Sequence, residues 1–190
     1  MFNQLIYDFA LWLDAGHWST LLHESFYMYN WIETTHVLSL MLSLGLLFFI
    51  DLRMLGIALP QVPATTIARR LQTPMLIGFG LMVTTGLLLF YAIPVRSAQS
   101  VWFRIKLLLL LVAAVNALVF HYRMKQSVTS WDTAPLAPRN IRVGALLSLL
   151  FWVFIVICGR LIAYDWYDCE RGQSGFIGVF AGCIEGQTQF

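Results

Sequence analysis

Four long apolar runs restrict what this chain can fold into more than any other feature of its sequence. They cover about residues 31–50, 75–93, 103–121 and 143–162. Each run is close to the roughly 20 residues that an α-helix needs to cross the ~30 Å hydrocarbon core of a bilayer. Because a spanning segment must satisfy its own backbone hydrogen bonds, the runs predict transmembrane helices.

Composition supports a membrane protein with one domain. Hydrophobic residues make up 59% of the 190 residues, whereas charged residues make up 12%. Such a chain has too few polar side chains to cover a folded surface in water, so lipid must solvate part of it. We therefore predict an all-α, integral membrane four-helix bundle over residues 31–162, with an interfacial helical segment at 1–30 and a polar tail at 163–190.

The N-terminal segment predicts a helix that lies in the membrane interface. Residues 2–14 place their apolar side chains on one helical face, with Asn3, Gln4 and Asp8 off that face. The segment is too short and too polar to span the bilayer. It also has no basic residue that would attract anionic lipid, so its apolar face must hold it in place.

Two signals between the runs predict how the second span begins and ends. Thr73 can cap a helix, and Pro74 suits the first helical position, so the second span is expected to start there. The link at 94–102 is very short. The second and third spans are therefore expected to form a tight helical hairpin.

Basic residues in the connecting segments predict the orientation. The links at 54–72 and 122–142, taken with Arg53, hold seven of the twelve basic residues against two acids, Asp51 and Asp132, a net charge of +5. The positive-inside rule puts these links in the cytoplasm of a bacterial inner membrane and both termini in the periplasm. We interpret these scattered charges as topology signals with anionic-lipid contact as a secondary role, and they exclude a nucleic-acid partner.

The first span carries ionisable residues, which are costly inside a membrane and mark candidate functional sites. At about 100° per residue, Glu33 lies about 60° from His36 on this helix, and Asp51 returns to the same side near its other end. Ser39 and Ser43 lie between them on that side. This polar stripe is expected to face protein rather than lipid.

A single b-type haem near the periplasmic face is one site that these residues can form. Imidazole is a normal axial haem ligand, so His36 would bind the iron together with His17 or His23 from the preceding segment. Gly78 of the second span would leave room for the macrocycle. Glu33 of the first span and Lys106 of the third would tune the haem or pair with its propionates.

His121 is a separate candidate ligand, because the predicted topology keeps it away from His36. Lys106 and His121 are 15 residues apart on the third span, a separation of roughly 22 Å at the helical rise. The first and third spans both enter from the periplasm, so His36 lies near the outer face and His121 near the inner face. These two histidines cannot share a metal ion, whereas His36 and His23 can.

Three other interpretations stay open for the polar residues. Glu33, His36 and Lys106 would form a buried hydrogen-bonded ion network that fixes packing or handles protons. Alternatively, the stripe that ends at Asp51 would conduct copper or another small solute. The chain would otherwise be a structural membrane subunit without a cofactor. No nucleophile triad, phosphate-binding loop or zinc signature is present, so the sequence identifies no enzymatic reaction.

The three cysteines fall into two groups. Cys158 lies inside the fourth span and is most simply a small packing residue. Cys169 and Cys183 lie in the tail, on the predicted periplasmic side. A disulfide between them would close a loop of about 15 residues and stabilise the protein by roughly 3 kcal/mol in the chain-entropy model. Two unpaired thiols are the alternative.

The run from Trp31 to Leu38, with Asp51 to Arg53 at the end of the same span, resembles a family of small bacterial membrane proteins of unknown function. The resemblance covers roughly residues 5–163 and leaves out the cysteine-bearing tail. The other segments that carry it are 86–90, 103–109, 116–121 and Gly159–Arg160.

A more distant resemblance concerns two better-known groups. A histidine early in one span, with an aromatic-x-x-Lys-Leu opening of another, is similar to the copper-resistance D-type permeases and the haem-containing membrane protoporphyrinogen oxidases. The residues that match are His36, Lys106 and His121. This similarity implies a bundle that handles haem, porphyrin, quinone or copper. Our leading hypothesis is a redox-associated component in the lipid bilayer that anchors or serves a larger electron-transfer complex of membrane or periplasmic subunits.

Overall fold

The computed structural model describes residues 2–127, 130–164, 169, 175–184 and 187 of the chain. Within this part the structure is built from helices and contains no strand. The helices in chain order are α1 (Phe2–Asp14), α2 (His17–Glu24), α3 (Phe26–Met54), α4 (Ala64–Ala92), α5 (Pro94–Ala98), α6 (Val101–Ser127), α7 (Arg139–Ala163) and α8 (Gly175–Ala181). The prediction of an all-α fold is therefore confirmed.

Four of these helices are long and apolar enough to cross a membrane. α3, α4, α6 and α7 are 29, 29, 27 and 25 residues long. The mean hydropathy of their most apolar parts is 1.9 to 2.5. Each predicted apolar run falls on one of them, so the prediction of four spans in a multi-pass membrane protein is confirmed.

The start of α4 differs from the prediction. This helix begins at Ala64, and Pro74 lies inside it rather than at its first turn. The carboxylate of Asp132 caps the helix, because Thr65 donates its backbone N–H to Oδ1 at 2.8 Å and its hydroxyl to Oδ2 at 2.7 Å. The cap comes from a residue 67 positions away along the chain. The local sequence around Pro74 therefore carries no sign of it.

The described part of the chain divides into two compact units. Unit 1 comprises Met1–His36, Val83–Leu108 and Val156–Phe190, and unit 2 comprises Val37–Met82 and Leu109–Ile155. Each unit has its own group of buried apolar side chains.

Unit 2 contains a fully buried arginine at the end of α3. Arg53 has no exposed surface. Its Nε donates to the carbonyl of Val62 at 2.7 Å, and its Nη2 donates to the carbonyl of Ala134 at 3.1 Å. Val62 lies between α3 and α4 and Ala134 lies between α6 and α7, so one guanidinium ties both connections to α3. The buried apolar residues of this unit are Ile50, Met54, Ala64, Ile67, Trp131, Ala137, Ile141 and Ala145.

In unit 1, α1 has one face packed on protein and another face exposed. Tyr7 and Ala10 of α1 pack with Val95 and Ala98 of α5. The large apolar side chains of α1 that stay exposed are Phe2, Leu5, Phe9 and Trp12. An apolar face left open in this way is what a helix in the membrane interface requires.

The described part of the C-terminal tail is packed against α5 and α6 within unit 1. Cys169 and Cys183 form a disulfide, so of the two alternatives for the tail cysteines this is the one that occurs. The amide of Gln99 donates to the carbonyl of Gly182 at 3.3 Å and to the side-chain oxygen of Gln187 at 2.7 Å. Gly182 has φ +85°, and a Cβ there would clash with the Arg104 guanidinium. The Arg104 guanidinium therefore fits at this position because Gly182 has no side chain.

Replacing Arg53 tests whether its guanidinium stabilises unit 2. We expect Arg53→Met to lower the free energy of unfolding by about 2–3 kcal/mol, because two carbonyls lose a charged hydrogen-bond donor. Thermal unfolding of the purified protein in detergent measures this loss. Arg69→Met, at an exposed position of α4, is the matched control and should leave stability almost unchanged. Equal losses in the two variants would contradict this account of Arg53.

Candidate functional site

The candidate site centres on His36, whose ring is held by α4. The Nδ1 atom of His36 lies 3.0 Å from the hydroxyl oxygen of Thr85, within hydrogen-bonding distance. Thr85 is buried, and His36 is half-buried. A Cβ on Gly86 would lie 3.1 Å from Cε1 of the His36 ring. The absence of a side chain at Gly86 therefore allows the imidazole to lie close to the α4 backbone.

The Thr85 contact bears on which ring nitrogen can bind a metal. A hydroxyl oxygen can accept a hydrogen bond from Nδ1–H, and in that tautomer Nε2 of His36 carries the lone pair. Metal-binding histidines characteristically donate their other ring N–H to an oxygen, which fixes the orientation of the ring. The geometry around His36 is thus compatible with an axial ligand that binds through Nε2.

Lys106 of α6 lies beside α7 in the same unit. A Cβ on Gly159 would be 3.5 Å from the Lys106 ammonium nitrogen. The buried Cys158 thiol is close enough to interact with it electrostatically. Among the described residues, no carboxylate lies within ion-pair distance of Lys106, and this half-buried cation has no acidic counter-ion there.

Glu33 is exposed, in contrast to the expectation that the whole polar stripe of α3 faces protein. Glu33 and Arg96 both interact electrostatically with the Tyr29 side chain. The buried members of the stripe are Ser39, Ser43 and Asp51. The helical period gives the direction of each side chain but not how far neighbouring helices cover it, and this is why the expectation was wrong for Glu33.

The buried ion network expected for Glu33, His36 and Lys106 is not formed within the described part of the chain. Thr85 is the side chain bonded to Nδ1 of His36. Lys106 lies against Gly159 and Cys158 instead of a carboxylate. The two half-buried residues are therefore held by different pairs of helices.

Gly78 belongs to unit 2, and the side chain beside it is Ser43 rather than His36. A Cβ on Gly78 would clash with the Ser43 hydroxyl oxygen. The glycine next to the imidazole is Gly86, which follows Thr85. Gly78 and Thr85 lie seven residues apart, or about two turns of a helix, so the glycine chosen from the sequence lies on the same side of α4 as Thr85 but at a different level.

The other candidate histidines are exposed. The ring of His17 lies 6.2 Å from that of Trp18, and the ring of His23 lies 6.5 Å from that of Tyr29. His17 and His23 both lie on α2. This helix is fixed to the end of α4, because the Ser19 hydroxyl donates to the Tyr91 carbonyl at 2.7 Å.

His121 belongs to unit 2, whereas His36, His17 and His23 belong to unit 1. Across the described residues, no group of three or more His, Cys, Asp or Glu side chains is arranged to hold a metal ion. A metal-binding group at His36 would therefore have to rest on one or two protein ligands.

The chain matches the sequence model of a known family. The sequence model of a family of unknown function, DUF6644, matches residues 24–165. The matched region contains the four long helices, with His36, Thr85, Gly86 and Lys106, and does not include α1 or α8. Comparisons with curated proteins and with solved structures found no match.

An alanine at Gly86 tests how closely the imidazole lies against α4. Replacing glycine by alanine inside a helix normally stabilises it by up to about 1 kcal/mol. We expect that gain at Gly80→Ala, where a Cβ meets nothing within 4 Å. At Gly86→Ala the gain should be reduced or reversed, because the new methyl group presses on His36. Thermal unfolding in detergent measures both changes.

The same pair of variants in a His36→Ala background provides the control. Without the imidazole, Gly86→Ala and Gly80→Ala should change the unfolding temperature equally. A difference that survives removal of the ring would show that His36 is not what the methyl group meets.

Proposed function

We propose that this chain, which belongs to the DUF6644 family of unknown function, binds a b-type haem through His36 and takes part in membrane electron transfer. The observation that carries the proposal is the contact of 3.0 Å between His36 Nδ1 and the Thr85 hydroxyl. A ring held at Nδ1 can bind iron through Nε2 with its orientation already fixed. When bound, a haem with histidine ligation supplies one-electron redox chemistry.

The second axial ligand in this proposal is His23 or His17. Both belong to unit 1 with His36. The hydrogen bond from Ser19 to the Tyr91 carbonyl fixes α2, which carries both of these exposed histidines. Binding of either ring to the iron would require a change in side-chain rotamer or in the position of α2.

Two charged residues of unit 1 would serve the haem carboxylates. Lys106 has no carboxylate within ion-pair distance among the described residues, so a propionate would supply the counter-ion that this half-buried ammonium lacks. Glu33 is exposed and would influence the redox potential through its charge. The distant resemblance of His36 and Lys106 to haem-, porphyrin- and copper-handling groups supports the same assignment.

For orientation, we propose a bacterial inner membrane with both termini in the periplasm. The basic connecting segments favour the cytoplasm. The disulfide between Cys169 and Cys183 supports the periplasm for the tail, because disulfides form and persist in oxidising compartments. In this orientation the haem would exchange electrons with membrane or periplasmic redox subunits.

A structural membrane subunit without a cofactor is the second candidate. The specific observation in its favour is the same contact, since Thr85 gives the His36 imidazole a hydrogen-bonding partner inside the protein. A polar residue satisfied in this way can serve helix packing alone. Haem binding distinguishes the two candidates.

Haem titration into the purified full-length protein in mild detergent tests the proposal. We expect the wild-type protein to bind one haem per chain, with a Soret band typical of histidine ligation. His36→Ala should lose this band, whereas His121→Ala, the matched control in unit 2, should keep it. Thr85→Val should weaken the affinity about 10- to 100-fold, because the ring loses the hydrogen bond that orients it.

Two results would contradict the proposal. One is a wild-type protein that binds haem no more tightly than His36→Ala does. The other is equal loss of binding in His36→Ala and His121→Ala, which would indicate non-specific uptake by an apolar surface. His17→Ala and His23→Ala then identify the second ligand by the change of the spectrum to that of a single histidine.

A further inference from the structure

Unit 2 contains a buried carboxyl that the proposed haem site does not use. Asp51 lies on α3 and is 2% exposed. Ser148 of α7 is the polar side chain that interacts with it. Its Oδ2 atom is buried and has no hydrogen-bonding partner among the described residues. This carboxyl therefore has an unsatisfied oxygen in a buried setting.

The fully buried basic side chain of unit 2 binds backbone carbonyls. Arg53, two residues along α3, donates to the carbonyls of Val62 and Ala134, and its buried Nη1 has no partner among the described residues. Arg142 of α7 is half-buried, and its Nε has no partner among the described residues. The remaining basic groups of the unit are exposed: Arg69, Arg70, His121, Arg123, Lys125 and Arg139. Within the described part of the chain, no ion pair compensates a charge on Asp51.

Asp132, the other acidic residue of unit 2, has a different environment from that of Asp51. Asp132 is half-buried. Its two oxygens accept from the Thr65 backbone N–H and from the Thr65 hydroxyl. Asp132 also lies at the start of a helix, where a negative charge is stabilised. The unit thus holds one carboxyl with a donor on each oxygen and another whose Oδ2 has none.

An ionised Asp51 would leave a negatively charged oxygen buried without any donor. The neutral acid avoids that cost, because an unpaired hydroxyl is far less expensive to bury than an unpaired charge. A proton on Oδ2 would remove the charge from the oxygen that has no partner.

We propose that Asp51 is a proton-binding site of this membrane protein, and that its buried, unpartnered Oδ2 carries the proton. The site lies in unit 2 and involves none of the residues of the haem proposal, so either can fail without the other. It also makes Asp51 a modification site for hydrophobic carbodiimides, which react with protonated carboxyls in apolar surroundings.

The modification step adds the whole carbodiimide to the acid. The carboxyl oxygen forms a bond to the central carbon of the reagent, and the carboxyl proton moves to one of its nitrogens. Migration of the acyl group to the nitrogen then gives a stable N-acylurea. Nothing is oxidised or released, so the peptide that contains Asp51 gains the full mass of the reagent.

Labelling of the full-length protein in detergent with dicyclohexylcarbodiimide at neutral pH, followed by peptide mapping, tests the proposal. We expect the adduct on Asp51 and little on Asp132, the internal control. Asp51→Asn should lose the adduct. The wild-type infrared spectrum should contain the carbonyl stretch of a neutral carboxylic acid that Asp51→Asn lacks, and Ser148→Ala should shift that band to higher frequency.

The wild-type peptide map needs no variant, so a folding defect in Asp51→Asn would not prevent the test. An Asp51 peptide that stays unlabelled while Asp132 reacts would overturn the proposal. So would an infrared spectrum that Ser148→Ala leaves unchanged in the carboxylic-acid region. Suppression of labelling by sodium or calcium ions at constant pH would indicate a cation on Asp51 in place of the proton, and would equally contradict it.

Discussion

The structure depends on one constraint, which is that a polar group left without a partner inside an apolar bundle is costly. Arg53 illustrates the constraint, because its fully buried guanidinium donates through Nε and Nη2 to two backbone carbonyls from separate connections, while Nη1 has no partner among the described residues. Asp132 meets the same demand by capping α4 through Thr65. These bonds join segments far apart in the sequence. In unit 2 the polar groups therefore help to determine how the connections fold over the ends of the helices.

Several glycines of the spanning helices lie next to polar side chains of neighbouring helices. Gly86 accommodates the His36 ring, Gly78 accommodates the Ser43 hydroxyl, and Gly159 accommodates the Lys106 ammonium group. Gly144 lies beside Asn116, whose amide donates to its carbonyl at 3.0 Å. At Gly86 and Gly78 the missing Cβ lets the polar group approach the backbone of a neighbouring helix, as small residues do in membrane bundles. His36 and Lys106, both half-buried, are the members of this set in unit 1.

The spans could be predicted from the sequence because a segment that crosses lipid must be a long apolar helix that satisfies its own backbone hydrogen bonds. Length and hydropathy are both visible in the sequence. The sequence also identified Gly78, which lies about two helical turns from Thr85 on α4. It did not identify Gly86 as the close neighbour of the imidazole, because the relative height of two helices depends on their packing. The cap from Asp132 and the Ser148 contact with Asp51 were missed for a related reason. Both contacts join residues that are close only in the folded chain, and neither has a local motif.

Our main proposal is that His36 binds haem in the native membrane. It is tested most directly by the optical spectrum of the protein after gentle extraction from the membrane in which it is normally made, before any haem is added. We expect a Soret band with the reduced-minus-oxidised bands of a b-type haem, at about one haem per chain. A protein that is pure, folded and free of haem after such extraction would contradict the claim and favour a structural role for the His36–Thr85 contact.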